Sequence, residues 1–179
     1  GTDSNTGISF PSADTIKFST GGVERMSITN SGVSGTGIGG GKILQVKYGF
    51  RTGHLSTTST SYVDSGITVD ITPSASTSKV LILINYLGGV NGGSTGGQEH
   101  QVRILRDSTE IFTERTADFM RFMVGNAQAD YMIAGQFLQN LDSPSTTNAI
   151  TYKLQCKRTG TGTQNVWAGS NICVMEVAA

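Results

Sequence analysis

The stretch Lys79-Val80-Leu81-Ile82-Leu83-Ile84-Asn85-Tyr86-Leu87 is the longest apolar run in the chain. Its branched aliphatic residues and its glycine-rich exit favour a strand over a helix. Strand side chains alternate between faces. Val80, Ile82, Ile84 and Tyr86 therefore share one face and Leu81, Leu83 and Leu87 the other, with Asn85 the only polar break. A strand in a solitary antiparallel sheet would keep one face polar. This one needs cover on both. One side can be the core of a sandwich; the other needs a helix or another chain. Little of the sequence reads as helix, so a second copy of the protein is expected to supply the cover.

A length of 179 residues allows one domain of ordinary size plus an appendage. Thirteen basic residues balance thirteen acidic ones, without a basic cluster, so there is no charge surplus to hold nucleic acid. No apolar run is long enough to span a bilayer, which argues against membrane insertion, and the start does not read as a signal peptide. The opening Gly1-Thr2-Asp3-Ser4 is abrupt and fits a portion of a longer polypeptide. Cys156 and Cys173 lack metal-ligand spacing and a CxxC motif. Each sits in an alternating apolar strand in phase with core residues, so small buried hydrophobes are the plain reading and a disulfide between neighbouring strands is the alternative.

Residues 5–34 carry a weak repeat. Ile8-x-Phe10, Ile16-x-Phe18 and Met26-x-Ile28 are apolar dyads in strand phase, separated by turn-prone Pro11-Ser12-Ala13-Asp14, Thr20-Gly21-Gly22 and Thr29-Asn30-Ser31-Gly32. Burying each side chain contributes about 1.5–3 kcal/mol, and ordering each residue costs about 1.5 kcal/mol. Three dyads in some thirty residues cannot offset that cost alone, so the repeat is expected to stack on equivalent strands of sister chains around a shared axis. A disordered leader is the other reading. Gly35-Thr36-Gly37-Ile38-Gly39-Gly40-Gly41-Lys42 follows as a flexible hinge, without the spacing of a phosphate-cradling loop. The expected organisation is a β-shaft segment over 1–34, a hinge over 35–42 and a sandwich domain over 43–179.

Beyond the hinge, Leu44, Val46, Tyr48 and Phe50 alternate on one face of a strand. Ile67, Val69 and Ile71 form the next, before the organising run. Residues 88–97, with six glycines, are expected to be a surface loop. Val102 and Ile104 then oppose Arg103 and Leu105; Asp107-Ser108-Thr109 turns the chain into Glu110-Ile111-Phe112. The stretch Phe119-Met120-Arg121-Phe122-Met123-Val124 is read as a strand, although its pattern also admits a short helix. Ile133, Phe137 and Leu141 share a face, as do Ile150, Tyr152, Leu154 and Cys156. Residues 159–171 are expected to be a Gly/Thr-rich loop carrying the only tryptophan, Trp167, before a last strand over 172–177. About eight strands follow the hinge. The fold class is all-β: an antiparallel jelly-roll-like β-sandwich preceded by a short intertwined β shaft, which the resemblance below makes trimeric.

The segments Gly7-Ile8-Ser9-Phe10, Ala13-Asp14-Thr15-Ile16-Lys17-Phe18-Ser19-Thr20-Gly21-Gly22 and Glu24-Arg25-Met26-Ser27-Ile28 resemble shaft repeats of tailed-bacteriophage tail fibres. Thr57-Thr58-Ser59-Thr60-Ser61-Tyr62-Val63-Asp64, Ile71-Thr72-Pro73-Ser74, Ser78-Lys79-Val80-Leu81, Leu105-Arg106-Asp107-Ser108-Thr109, Leu141-Asp142-Ser143-Pro144 and Met175-Glu176-Val177-Ala178-Ala179 resemble the distal receptor-binding knobs of the same proteins. Each piece is low in complexity; their order together is more specific. The resemblance implies a homotrimer in the virion, bound to other tail proteins, whose knob attaches to a host cell-surface glycan or outer-membrane receptor.

The residues themselves offer little chemistry. His54 and His100 stand far apart, and no cofactor or metal is expected within one chain; three copies of one histidine around a threefold axis are an alternative metal arrangement. No GxSxG elbow is present. Glu110, Glu114, Asp118 and Asp130 could include a glycosidase pair, but turn and strand-edge carboxylates are commonly just solvated, and no enzyme is expected. If the knob binds glycans, aromatic and amide side chains in surface loops would do it. Trp167 with Gln164 and Asn165 is the first candidate, and Tyr131 with Gln128 and Asn126 the second. Trp167 could instead pack at a subunit interface. Rival readings are a capsid decoration or tail connector, a polysaccharide depolymerase, and a trimeric head of the complement-globular type.

Overall fold

The computed structural model describes residues 4–35, 42–91, 96–113, 121–124, 132–159 and 162–178. All regular elements among them are strands. By its contacts the chain divides into two units, Gly1–Lys42 with Ala178–Ala179 and Ile43–Val177.

In the first unit β1 (Gly7–Ser9), β2 (Ile16–Thr20), β3 (Val23–Thr29) and β4 (Gly32–Ser34) form an antiparallel meander in chain order. The register places Ile8 opposite Phe18 and Phe18 opposite Met26; Ile16 faces Ile28, and Ile28 faces Val33. Since paired residues share a face, one side is apolar. Ser9, Lys17, Ser27 and Ser34 line the other, where the Ser27 and Ser34 hydroxyls lie 2.9 Å apart and Lys17 pairs with Glu24 at 2.6 Å. The dyads thus take their backbone partners from their own chain, because tight turns make neighbours the cheapest strands to close. The turn at Gly21-Gly22 needs positive φ at both residues, +62° and +75°, which glycine adopts without strain. What the meander leaves open is its apolar face.

The second unit is a jelly-roll-like sandwich of two antiparallel sheets. The larger has the order β5 (Ile43–Phe50), β15 (Asn171–Val177), β8 (Lys79–Asn91), β14 (Thr163–Val166), β6 (Leu55–Thr57), with β12 (Met132–Asp142) on the other side of β8. The smaller has the order β10 (Thr109–Thr113), β9 (Gly96–Arg106), β13 (Ile150–Arg158), β7 (Val63–Ile71), and β11 (Arg121–Val124) also pairs with β9. Their inner faces make one core. Val80, Ile82, Ile84, Tyr86, Leu138, Val166, Ile172 and Val174 come from the larger sheet; Ile67, Val69, Ile71, Val102, Ile104, Ile150, Tyr152, Leu154 and Cys156 come from the smaller. The organising strand β8 is paired along its whole length with β12, and its inner face is fully buried.

Three expectations are corrected. The glycine-rich stretch is not all loop: β8 continues through Gly88, Gly89 and Val90, and β9 starts at Gly96. Backbone pairing to β12 and β14 holds that extension, and backbone pairing needs no side chain. Residues 159–171 include β14, whose polar composition hides a strand buried in the larger sheet. Cys173 does not share the core with Cys156. It faces outward between the buried Ile172 and Val174, and both thiols are free.

Buried polar groups close the sandwich at specific points. Glu176, fully buried on β15, accepts the Ser74 N–H and hydroxyl, both at 2.7 Å, and the Gln45 amide at 2.6 Å. Burial pushes its carboxyl up, but these hydrogen bonds outweigh burial and hold it down at about 2. Asp142 accepts the Tyr152 hydroxyl at 2.7 Å and Arg106 Nη1 at 2.9 Å, joining β12 to the opposite sheet.

Candidate functional site

β14 and β15 run in the same direction along one edge of β8, as one interrupted strand. Val166 faces Gly88 and Asn171 faces Asn85. Five steps of the interrupted strand therefore span three steps of β8, and the surplus bulges out as the turn Trp167-Ala168-Gly169-Ser170. Hydrogen bonds hold the bulge at both ends. Trp167 N–H donates to the Leu87 carbonyl at 3.0 Å, the Leu87 N–H donates to Ser170 Oγ at 3.0 Å, and Ser170 Oγ–H donates to the Trp167 carbonyl at 2.9 Å. Gly169 has φ of +96° and gives its N–H to the Arg51 carbonyl. A bulge re-aims side chains. Here Trp167 leaves the ladder and stacks on the exposed ring of His54, with centroids 4.3 Å apart and planes inclined by 22°.

Gln164 and Asn165, expected beside Trp167 on a surface loop, are instead buried in β14. The Gln164 amide donates to the Tyr86 hydroxyl at 3.1 Å and Asn165 Oδ1 accepts from Ser56 at 2.8 Å. Gln164 is spent on Tyr86 in the core and Asn165 on Ser56 of the neighbouring strand, so both are removed from the candidate site and His54 enters it. Asn126, Gln128 and Tyr131 lie outside the described residues, as do Glu114, Asp118 and Asp130. Glu110 is ion-paired with Arg103 at 3.2 Å. His100 lies on β9 opposite Arg158. Among the described residues no group of three or more His, Cys, Asp or Glu side chains could hold a metal.

The two sheets present contrasting outer faces. On the larger, the rows Phe50–Asn171–Asn85–Phe137, Tyr48–Cys173–Leu83–Gln139 and Val46–Met175–Leu81–Leu141 run across β5, β15, β8 and β12. Val46 is 53%, Tyr48 59%, Phe50 54%, Phe137 62% and Leu141 58% exposed. With an aromatic side chain offering about 150–250 Å², these five side chains together expose about 500 Å². The largest patch on a typical monomer is about 300–600 Å².

The outer face of the smaller sheet is polar and networked. Asp64 accepts the Gln155 amide at 2.5 Å and Lys153 Nζ at 3.2 Å. The Gln155 amide foremost, and Lys153 beside it, hold the Asp64 carboxyl below its usual range. Gln155 Oε1 accepts Arg103 Nε at 2.8 Å. The Arg103 guanidinium lies 4.3 Å from the centre of the Tyr62 ring, and Lys157 Nζ 4.7 Å from it.

No protein-family model matches the chain, and no curated protein matches it. Among solved structures it is similar to the VP2 subviral particle of infectious bursal disease virus, with a TM-score of 0.41 and 11% identity over 91% of this chain and 42% of that one. The Gt strain structure of the same virus gives 0.41 and 11% over 90% and 42%. Dimeric latent PorU from Porphyromonas gingivalis gives 0.37 and 11% over 79% and 14%. The chain spans less than half the length of each, and likenesses this loose say nothing of what it does.

Proposed function

We propose that this chain is the distal, host-attaching portion of a bacteriophage tail fibre, a non-enzymatic virion protein that works as a homotrimer. The observation that carries the reading is the apolar outer face of the larger sheet. About 500 Å² per chain from five side chains on one face is more than half of the area of about 800 Å² that each partner buries in a stable interface. The rows that would form it contain no charged side chain to discriminate a foreign partner. Sister chains are the occupants, and the resemblance of the repeat and knob segments to tail fibres makes their number three. The one-faced meander of the first unit calls for the same kind of cover.

Attachment then comes from several weak contacts to a host glycan or outer-membrane receptor. Three sites on one trimer and several fibres on one particle raise avidity without any tight single contact. The bulge that carries Trp167 on His54 is the first such contact, and other tail proteins hold the fibre in the virion. Light scattering at micromolar concentration is expected to give three times the chain mass, and the trimer is expected to adsorb to host cells until their surface polysaccharide is stripped. A monodisperse single chain would end the reading. New reducing ends appearing from host capsule would replace adhesion with polysaccharide cleavage.

A further inference from the structure

A binding site is built into the polar face of the smaller sheet. Rows across this sheet set Asp64 beside Gln155 and Gln155 beside Arg103, with Lys157 next to Gln101 one row further along. Tyr62 precedes β7 and receives both Arg103 and Lys157 on its ring. The two cations are therefore no more than about 9 Å apart. Arg103 is fixed by Gln155 and Glu110. Lys157 is different: among the described residues its ammonium makes no hydrogen bond and no ion pair, and the Tyr62 ring is its contact. Two like charges gathered on one ring, one of them without a carboxylate, is an arrangement that an incoming anion relieves.

We infer that the Tyr62, Arg103 and Lys157 cluster binds the carboxylate of an acidic saccharide. Lys157 supplies the unpaired charge, and Gln101 and the free edge of the Arg103 guanidinium supply donors for neighbouring hydroxyls. Asp64 and Glu110 flank the cluster and repel a dense polyanion, so sparse charge along a sugar chain suits it where a nucleic-acid backbone does not. The inference deepens the attachment reading by naming the ligand class, and rests on that reading only for the sugar's place on a cell.

The test is titration of the full chain with polygalacturonate oligomers and with their methyl esters. Wild type is expected to bind the acid form and lose it on esterification, with an affinity that falls as salt rises. Lys157→Gln is expected to lower affinity at least tenfold while circular dichroism and mass stay unchanged. Tyr62→Phe, which keeps the ring, is expected to retain binding. Equal binding of acid and ester, or indifference to Lys157→Gln, overturns the site. Single-stranded DNA that binds and loses affinity with the same substitution overturns the saccharide assignment. Host cells adsorbed by wild type and by Lys157→Gln alike, with polygalacturonate affinity lost in the variant, support the site and leave attachment to other contacts. Wild type that fails to adsorb yet binds polygalacturonate through Lys157 removes attachment and supports the site.

Discussion

The outer faces of the two sheets belong to one sandwich and share one core, yet they are finished differently. On the smaller sheet nearly every outward side chain has a partner: Lys153 and Gln155 on Asp64, Arg103 on Gln155 and Glu110. On the larger sheet the outward rows are mostly aromatic and aliphatic, with Asn85, Asn171 and Gln139 the polar exceptions. Water completes the first face and cannot complete the second. The difference teaches that one β-sandwich can hold a hydrogen-bonded polar surface on one side and present apolar residues on the other.

The largest effect is expected from charging the unfinished face. Val46→Glu with Leu141→Glu puts two carboxylates at the ends of the Val46–Met175–Leu81–Leu141 row, where each buried apolar side chain contributes about 1.5–3 kcal/mol. Light scattering should then show single chains with unchanged circular dichroism. Trimers that survive the double substitution would break the contrast between the faces.

Next comes Glu176, which ties the larger sheet to the Pro73-Ser74 turn. Its folded-state carboxyl, at about 2, lies below its ordinary value of 4.5. The stability it contributes is therefore full above the ordinary value and is lost as pH falls through it toward 2. Glu176→Gln removes a charged acceptor, at a cost of about 1.5–3 kcal/mol per hydrogen bond lost. Denaturant melts at pH 7 and pH 3 should show the wild type losing stability between them and the variant losing less.

Tyr152→Phe deletes the hydroxyl that reaches Asp142 across the core, and should cost about 1 kcal/mol in the same melts. Lys153→Met, on the finished face, removes a half-exposed ion pair worth about 0–1 kcal/mol and should leave the melting midpoint almost unmoved. A large loss there would mean that the polar network is structural rather than free to serve a ligand. Trp167→Ala should leave mass and melting nearly unchanged while lowering adsorption to cells; loss of the trimer would instead assign Trp167 to packing.

Much of this was legible in the alternation of single strands. The two faces of Val80 to Leu87 marked the core on one side and an apolar outer surface on the other. Periodicity tells which residues share a face, but not which face is turned in. Leu44, Val46, Tyr48 and Phe50 read as well as Ile67, Val69 and Ile71, yet the first set points to solvent and the second to the core. β14 was illegible because Thr163-Gln164-Asn165-Val166 has no apolar rhythm; its burial follows from hydrogen-bond partners some eighty to one hundred residues away, Tyr86 and Ser56. The pairing of Trp167 with His54 left no local signal either, since it depends on the mismatch in length between two paired strands.

That mismatch has its own consequence. Ala168 and Gly169 are the surplus, and the contacts of Trp167 and Ser170 with Leu87 already close the ladder on either side of them. The protrusion is thus an insert in a continuous seam. Shortening, lengthening or rewriting it exchanges what this end of the molecule displays and leaves the register of the flanking strands alone, so a lineage could retarget here while conserving its scaffold.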